Sequence, residues 1–206
     1  MNEATKKNIP NILTIMRIVL IPVLIVSFYI PSKITNLVVA LLFLIASITD
    51  YFDGYLARYY KTQSNFGRCF DPIADKLLVS VALLMLVNFA NGNLLILIPS
   101  IIIICREILV SGLREFLAGL QVSVPVTRLA KWKTGIQMTA ITALLLASNG
   151  STYTFTQIME LLRADQALRT LLSGQVEFLG TILLNISAIL TMITGYIYLK
   201  IGIKNM

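Results

Sequence analysis

Long apolar runs alternate with short polar segments along the whole chain. Six of these runs are long enough for helices that cross a hydrocarbon core of about 30 Å. They predict helices over about residues 12–29, 34–60, 69–90, 94–120, 129–147 and 176–198. We therefore expect an all-α integral membrane protein, a bundle of six transmembrane helices in which residues 1–206 form a single domain.

One segment, about residues 148–175, departs from this pattern because it is polar and carries charges of both signs. Its middle part has the spacing of an amphipathic helix. We expect it to lie on the membrane surface, as an external insert added to the six-helix bundle.

The composition agrees with a membrane protein, since 57% of the residues are hydrophobic and only 13% are charged. With six crossings both termini lie on one side, and all but Lys33, Arg163 and Arg169 of the 17 Lys and Arg residues fall on that side. Because positive residues accumulate on the cytoplasmic side, we expect a multi-pass protein of the cell (inner or plasma) membrane with cytoplasmic termini. This distribution explains the net charge of +7 without a nucleic-acid partner. The chain has no histidine, which excludes histidine nucleophiles and histidine bases.

Four aspartates, Asp50, Asp53, Asp71 and Asp75, lie at the facing ends of the second and third predicted helices. Each pair has a spacing that places both carboxylates on one helix face. Antiparallel helices would bring the pairs together, and the carboxylates would then repel each other. Hard divalent cations relieve that repulsion, and a pair of such ions promotes phosphoryl transfer. We therefore predict a site for two Mg²⁺ or Mn²⁺ ions.

Small residues and one arginine accompany the aspartates. Gly54 and Ala57 follow the first pair on the same face, and Gly67 lies one turn before Asp71. Side chains this small allow a helix or a ligand to approach closely, and Arg58 is able to bind a phosphate through two hydrogen bonds. Each residue alone has an ordinary explanation, either helix packing or a cytoplasmic anchor, but the complete array favours a ligand site.

The segment from Asp50 to Asp75 matches the pattern D-x2-D-G-x2-A-R-x8-G-x3-D-x3-D at every fixed position. This resembles the signature of the CDP-alcohol phosphotransferase family. The resemblance implies a homodimeric membrane enzyme that uses two divalent metals to join a CDP-linked group to an alcohol, with release of CMP. It also implies that the four aspartates are metal ligands and that Asp75 is the general base. It places the nucleotide site at Gly54, Ala57, Arg58 and Gly67.

The amino-terminal segment PNILTIMR resembles the P-N-x-x-T-x-x-R element of the bacterial phosphatidylglycerophosphate synthases within this family. This second resemblance implies that Asn11, Thr14 and Arg17 reach the nucleotide. The alternative is that Asn11 caps the first helix and that Arg17 extends to the membrane surface.

Two further segments, REILVSGLRE and RLAKWKT, resemble the same group of enzymes, although Ala130 replaces the glycine of the second element. They imply that the acceptor phosphate is bound by Arg106, Arg114, Lys131 and Lys133. The alternatives are internal ion pairs with neighbouring glutamates for the arginines and anchoring at the membrane surface for the lysines. Lys76 is compatible with either a salt bridge or a phosphate contact.

These resemblances imply CDP-diacylglycerol as the donor and glycerol 3-phosphate as the acceptor, both reached from the cytoplasmic side. A cationic cluster favours a phosphorylated acceptor, but inositol phosphate and serine are alternatives for the same chemistry. In a different class of protein, aspartates within a membrane suit a divalent-cation transporter. A transporter gives no reason for Arg58 or for the paired lysines.

Overall fold

The computed structural model describes residues 3–30, 35–60, 65–120, 128–147 and 166–204. The side chains of residues 3–11, 13, 36, 50–60, 65–66, 68–69, 128, 130, 166–173 and 204 lie outside this description. The described residues form six helices and no strands, which confirms the predicted all-α architecture for this part of the chain. The helices are α1 (Glu3–Tyr29), α2 (Thr35–Tyr60), α3 (Asn65–Phe89), α4 (Leu94–Gly119), α5 (Arg128–Ala147) and α6 (Gln166–Lys204).

The first and last helices are longer than predicted. α1 begins at Glu3, because an apolar run marks where burial begins, whereas helical hydrogen bonding continues through polar residues. α6 begins at Gln166, so residues 166–175 of the polar segment are helical and continuous with the last helix. The predicted start near residue 176 agrees with the apolar segment Gly174–Ile203. The helix itself begins ten residues earlier, because QALRTLL is rich in helix formers and Gly174 alone costs a helix only about 1 kcal/mol. Residues 148–165 of the predicted insert lie outside the described residues.

The helices pack around one apolar core. α6 packs along α4 and α5, while α1 packs against α2 and α3, and α2 also contacts α5. All six helices contribute to the core, through residues that include Leu24, Phe43, Leu83, Ile103, Ile141 and Leu184. The rings of Phe28 and Phe89 stack with centroids 5.3 Å apart at the carboxyl ends of α1 and α3, so these two helices run in the same direction.

The exterior of the bundle is also apolar. Large side chains exposed there include Val19, Ile45, Leu84, Ile101 and Ile189. Among the described residues, the segments Leu94–Gly119 and Gly174–Ile203 are long and apolar enough to cross a membrane, and Thr14–Tyr29 and Leu37–Thr49 are shorter apolar helical segments. An apolar surface of this extent is typical of contact with lipid. Six helices are thus confirmed within the described ranges, while six membrane crossings stay a prediction.

Asn185 of α6 forms a hydrogen bond to the backbone of α4 one turn before a proline. Pro99 has no N–H group, so it cannot donate to the Leu95 carbonyl one turn earlier. The side-chain amide of Asn185 on α6 donates to this carbonyl instead, at 2.9 Å. In a lipid-facing helix a carbonyl without a donor is costly, so this bond stabilises the α4–α6 pair.

Candidate active site

Two of the predicted metal-binding carboxylates lie on α3, near its amino end. Asp71 and Asp75 are one turn apart and both are partly buried. The hydroxyl of Thr14, a fully buried residue of α1, donates a hydrogen bond to the Asp71 carboxylate. Gly67, one turn before Asp71, is also buried. The structure therefore brings the amino-terminal element and the second aspartate pair together.

Arg17 lies one turn beyond Thr14 on α1 and is only 1% exposed. A side chain that extended to the membrane surface would be accessible at its guanidinium end. The alternative that Arg17 is a surface anchor is therefore wrong, since the residue is buried inside the bundle. A buried arginine close to an aspartate-bearing helix is consistent with a role at a polar site.

The other predicted carboxylate pair lies on the last turns of α2, which contacts α3. The description does not cover the side chains of Asp50, Asp53, Ala57, Arg58 and, on α1, Asn11, nor the surroundings of Gly54. Among the side chains that are described, no group of three or more histidine, cysteine, aspartate or glutamate residues could hold a metal. The two carboxylates of α3 offer hard oxygen ligands on one helix face, which fits Mg²⁺ or Mn²⁺. The predicted four-aspartate cluster stays a prediction.

An ion pair joins α4 to α5. The ammonium group of Lys133, whose side chain is 4% exposed, pairs with the carboxylate of Glu107. Arg106 flanks the pair, with its Nη1 atom 3.8 Å from Oε2 of Glu107. The pair therefore joins α5 to the cationic stretch of α4, and both helices also contact α3, which carries Asp71 and Asp75.

Two arginines of α4 share one tyrosine of α6. Arg114 donates from Nη2 to the phenol oxygen of Tyr198 at 2.7 Å. The Cζ atom of Arg114 lies 4.7 Å from the centroid of the tyrosine ring, and that of Arg106 lies 5.6 Å from it. Arg106 also donates from Nη2 to Thr194 Oγ1 at 2.9 Å. Three of the four residues predicted to bind the acceptor phosphate, Arg106, Arg114 and Lys133, thus belong to one cluster.

The fourth residue, Lys131, is not joined to this cluster. It is exposed at the start of α5, and no contact among the described side chains connects it to the arginines. The alternative of a surface anchor fits its position best.

Sequence reasoning overlooked the contribution of α6. Thr194, Gly195 and Tyr198 all contact the arginines of α4, yet no role was predicted for any residue of the last helix. The signal was a polar stripe in an otherwise apolar helix, because Thr191, Thr194 and Tyr198 follow the i, i+3, i+7 spacing of one helix face.

A cavity of about 500 Å³ lies between α3 and α4. Lys76, Ser111 and Glu115 line it together with apolar residues that include Leu77 and Ile108. The Lys76 ammonium group donates to the Ser111 hydroxyl. Two roles were predicted for Lys76. The ion pairs among the described side chains do not include Lys76, so they do not support a salt bridge, and a phosphate contact stays a prediction.

Comparison with known proteins adds a family to this geometry. A family model described as CDP-alcohol phosphatidyltransferase matches residues 7–193. The chain is 48% identical over 194 residues to a CDP-diacylglycerol–glycerol-3-phosphate 3-phosphatidyltransferase of Rickettsia felis, covering 94% of each chain. It is 49% identical to the protein of that name from Rickettsia typhi, covering 94% of this chain and 96% of the other. The identity to the protein of that name from Cereibacter sphaeroides is 37%, again over 94% of each.

Proposed function

The chain belongs to the CDP-alcohol phosphatidyltransferase family, and from this membership we propose that it transfers the phosphatidyl group of CDP-diacylglycerol to glycerol 3-phosphate. An oxygen of the acceptor hydroxyl forms a bond to the phosphorus that carries diacylglycerol, and the bond from that phosphorus to CMP breaks. The products are phosphatidylglycerophosphate and CMP. Relatives named for this reaction, which match 94% of the chain, support the proposal.

The observation that carries this function is the packing of α3, which carries Asp71 and Asp75, against the helices that carry the cationic cluster. Arg106 and Arg114 lie on α4, and Lys133 on α5 pairs with Glu107 of α4. Phosphoryl transfer between a pyrophosphate donor and a phosphorylated alcohol requires both kinds of group in one place. A neutral acceptor such as serine would leave the cations of Arg106 and Arg114 without use.

The family generally depends on divalent cations, and we assign two of them, Mg²⁺ or Mn²⁺, to the four aspartates. Such ions, when bound, stabilise negative charge on the pyrophosphate and on the departing CMP. Asp75 is the base that accepts the proton of the acceptor hydroxyl. Thr14 holds the Asp71 carboxylate in place through its hydrogen bond, which favours a positioning role for Thr14 beside the nucleotide.

The remaining predicted residues complete two binding regions. The nucleotide region consists of Asn11, Thr14, Arg17, Gly54, Ala57, Arg58 and Gly67. Burial of Arg17 and Gly67 on the helices that meet at Asp71 supports this assignment. The acceptor phosphate is bound by Arg106, Arg114 and Lys133, whereas the exposed position of Lys131 favours an anchor at the membrane surface.

We infer that the six helices cross the cell membrane with the site and both termini in the cytoplasm. Two long apolar segments and the apolar exterior support a membrane location. The distribution of lysine and arginine supports the orientation. A homodimer is expected from the family resemblance.

The test is CMP release by detergent-purified protein given CDP-diacylglycerol, Mg²⁺ and one acceptor at a time. We expect release with glycerol 3-phosphate that is abolished by EDTA and by Asp75→Asn. Release only with inositol phosphate or serine would overturn the acceptor and keep the chemistry. Folded protein that moves divalent cations into vesicles without releasing CMP would favour the transporter alternative.

A further inference from the structure

We propose that α6 positions the acceptor-binding arginines: Tyr198 and Thr194 hold Arg114 and Arg106 with neutral groups, so that both guanidinium charges are directed to one dianionic phosphate. This inference rests on the proposed function, because it assigns positioning residues to the acceptor site of that reaction.

The first step concerns the spacing of the two arginines. They lie eight residues apart on α4, which separates their backbones by about 12 Å. Long arginine side chains are flexible, and holding one in place costs up to about 2 kcal/mol of rotamer entropy. Tyr198, which is 2% exposed, lies between them with its ring 4.7 Å from one guanidinium carbon and 5.6 Å from the other. One rigid ring therefore fixes both side chains before a ligand arrives.

The second step concerns Arg106. The Thr194 hydroxyl donates to the backbone of its own helix, with the Leu190 carbonyl at 2.9 Å and the Thr191 carbonyl at 3.1 Å as acceptors. Because its hydrogen is directed to the backbone, the Thr194 oxygen is left to accept the bond from Arg106. The neighbouring Gly195 makes room for the arginine stem, since a Cβ atom there would lie 3.0 Å from Arg106 Cγ.

The third step concerns charge. A carboxylate partner would fix an arginine but would also neutralise it, as Glu107 does for Lys133. Tyrosine and threonine accept hydrogen bonds without a negative charge. Each guanidinium has five N–H donors, so one bond to α6 leaves further donors for a ligand. Arg106 Nη1 lies 3.8 Å from Glu107 Oε2, too far for a hydrogen bond, so its charge is offset only in part. A phosphomonoester carries a charge of about −1.5 to −2, and it gains from the two guanidinium groups, whereas a neutral alcohol does not.

The test compares Tyr198→Phe with Tyr196→Phe. Tyr196 is the matched control because it lies on the same helix and is 69% exposed. A lost hydrogen bond to a charged group corresponds to about a tenfold change, so we expect Tyr198→Phe to raise the KM for glycerol 3-phosphate about tenfold. The KM for CDP-diacylglycerol and the unfolding midpoint should stay near wild-type values. Thr194→Val, which removes the acceptor of Arg106 and keeps the shape, should act in the same direction.

A double substitution separates positioning from a general structural effect. Lysine at position 114 cannot donate and stack in the same geometry, so in an Arg114→Lys background Tyr198→Phe should change the KM less than twofold. If Tyr198→Phe raised the KM for glycerol 3-phosphate by the same factor in the Arg114→Lys background as in the wild type, this result would overturn the proposal. So would equal losses for both substrates, or an unchanged KM in folded Tyr198→Phe protein.

A binding measurement keeps the inference apart from the proposed function. Inorganic phosphate should raise the unfolding midpoint of the wild type, and Tyr198→Phe should need about ten times more phosphate for the same shift. Phosphate stabilisation without CMP release in any acceptor assay would overturn the proposed function and keep the anion site. CMP release by a wild type that phosphate does not stabilise would overturn the inference.

Discussion

The two halves of the candidate site are built in opposite ways. The carboxylate half, which comprises Thr14, Asp71 and Asp75, is set by the spacing of residues on α3 and by a hydroxyl from α1. The cationic half, which comprises Arg106, Glu107, Arg114, Lys133, Thr194 and Tyr198, is assembled from three helices. The carboxylate half presents negative charge on one helix face. The cationic half contains a carboxylate, Glu107, that offsets part of its positive charge.

This difference predicts what each half does without ligands. Glu107 offsets the charge of Lys133, and Tyr198 fixes the arginines, so the cationic half keeps its arrangement from within. The carboxylates of α3 lie one turn apart, and binding of a cation would reduce the repulsion between them. Substitutions in the carboxylate half should therefore affect catalysis most, and loss of the Glu107 carboxylate from the cationic half should affect stability as well as acceptor binding.

The largest effect is expected for Asp71→Asn. The amide keeps the shape of the side chain and still accepts from Thr14, but it removes one negative ligand. Because metal-assisted charge stabilisation is worth several kcal/mol, CMP release should fall by about 10³-fold or more. The unfolding midpoint should change little. Activity within tenfold of wild type would show that Asp71 does not belong to the metal site.

The second largest effect is expected for Glu107→Gln, which should lower the stability of the protein. It leaves the buried Lys133 ammonium without its carboxylate, and breaking such a pair costs about 3–5 kcal/mol. Thermal unfolding in detergent would measure this loss, with the exposed Glu177→Gln as control. Adding Lys133→Met should recover stability but not the KM for glycerol 3-phosphate. Recovery of both would remove Lys133 from the acceptor site.

The two halves also differ in how far sequence predicts them. Asp71 and Asp75 are one turn apart, so any helix places them together, and the six apolar runs indicate the helices. Arg106 and Arg114 were both predicted to bind the acceptor phosphate, but their partners Thr194 and Tyr198 are 88 and 84 residues away. Such contacts depend on which helices pack together, and helical periodicity contains no information on that choice.

Helix ends illustrate the same limit. Hydropathy places the last helix near residue 176, whereas α6 begins at Gln166. A change from apolar to polar residues alters the solvent that surrounds a helix, but it does not end the backbone hydrogen bonds. The helix therefore continues through Gly174 and joins the last part of the polar segment, which was predicted to be helical, to the apolar span.

A smaller effect is expected for Thr14→Val in the carboxylate half. The substitution keeps the volume of a fully buried side chain and removes its hydrogen bond to Asp71. Partners that orient a metal ligand contribute about 10- to 100-fold in metal affinity. We expect half-maximal activity at about tenfold higher Mg²⁺, with Thr14→Ser close to wild type. An unchanged Mg²⁺ requirement combined with a higher KM for CDP-diacylglycerol would assign Thr14 to the nucleotide instead.

The smallest effect concerns the scaffold that carries the cationic half. Asn185 donates to the Leu95 carbonyl that Pro99 leaves without a donor. Asn185→Leu should cost about 1 kcal/mol of stability, the usual net value of one hydrogen bond. In a Pro99→Ala background the restored N–H group bonds to Leu95, so the same substitution should cost measurably less.

The Asn185→Leu and Pro99→Ala substitutions also separate the effect of helix packing from the effect of the local contacts to the arginines. Asn185 precedes Thr194 by nine residues, a distance of about 13 Å along α6. If the arginines are held locally by Thr194 and Tyr198, neither Asn185→Leu nor the double substitution should change the KM for glycerol 3-phosphate. A KM that rises in proportion to the loss of stability would instead show that the cationic half depends on the packing of α4 against α6 as a whole. Tyr198 and Thr194 would then have no separate role in positioning the arginines.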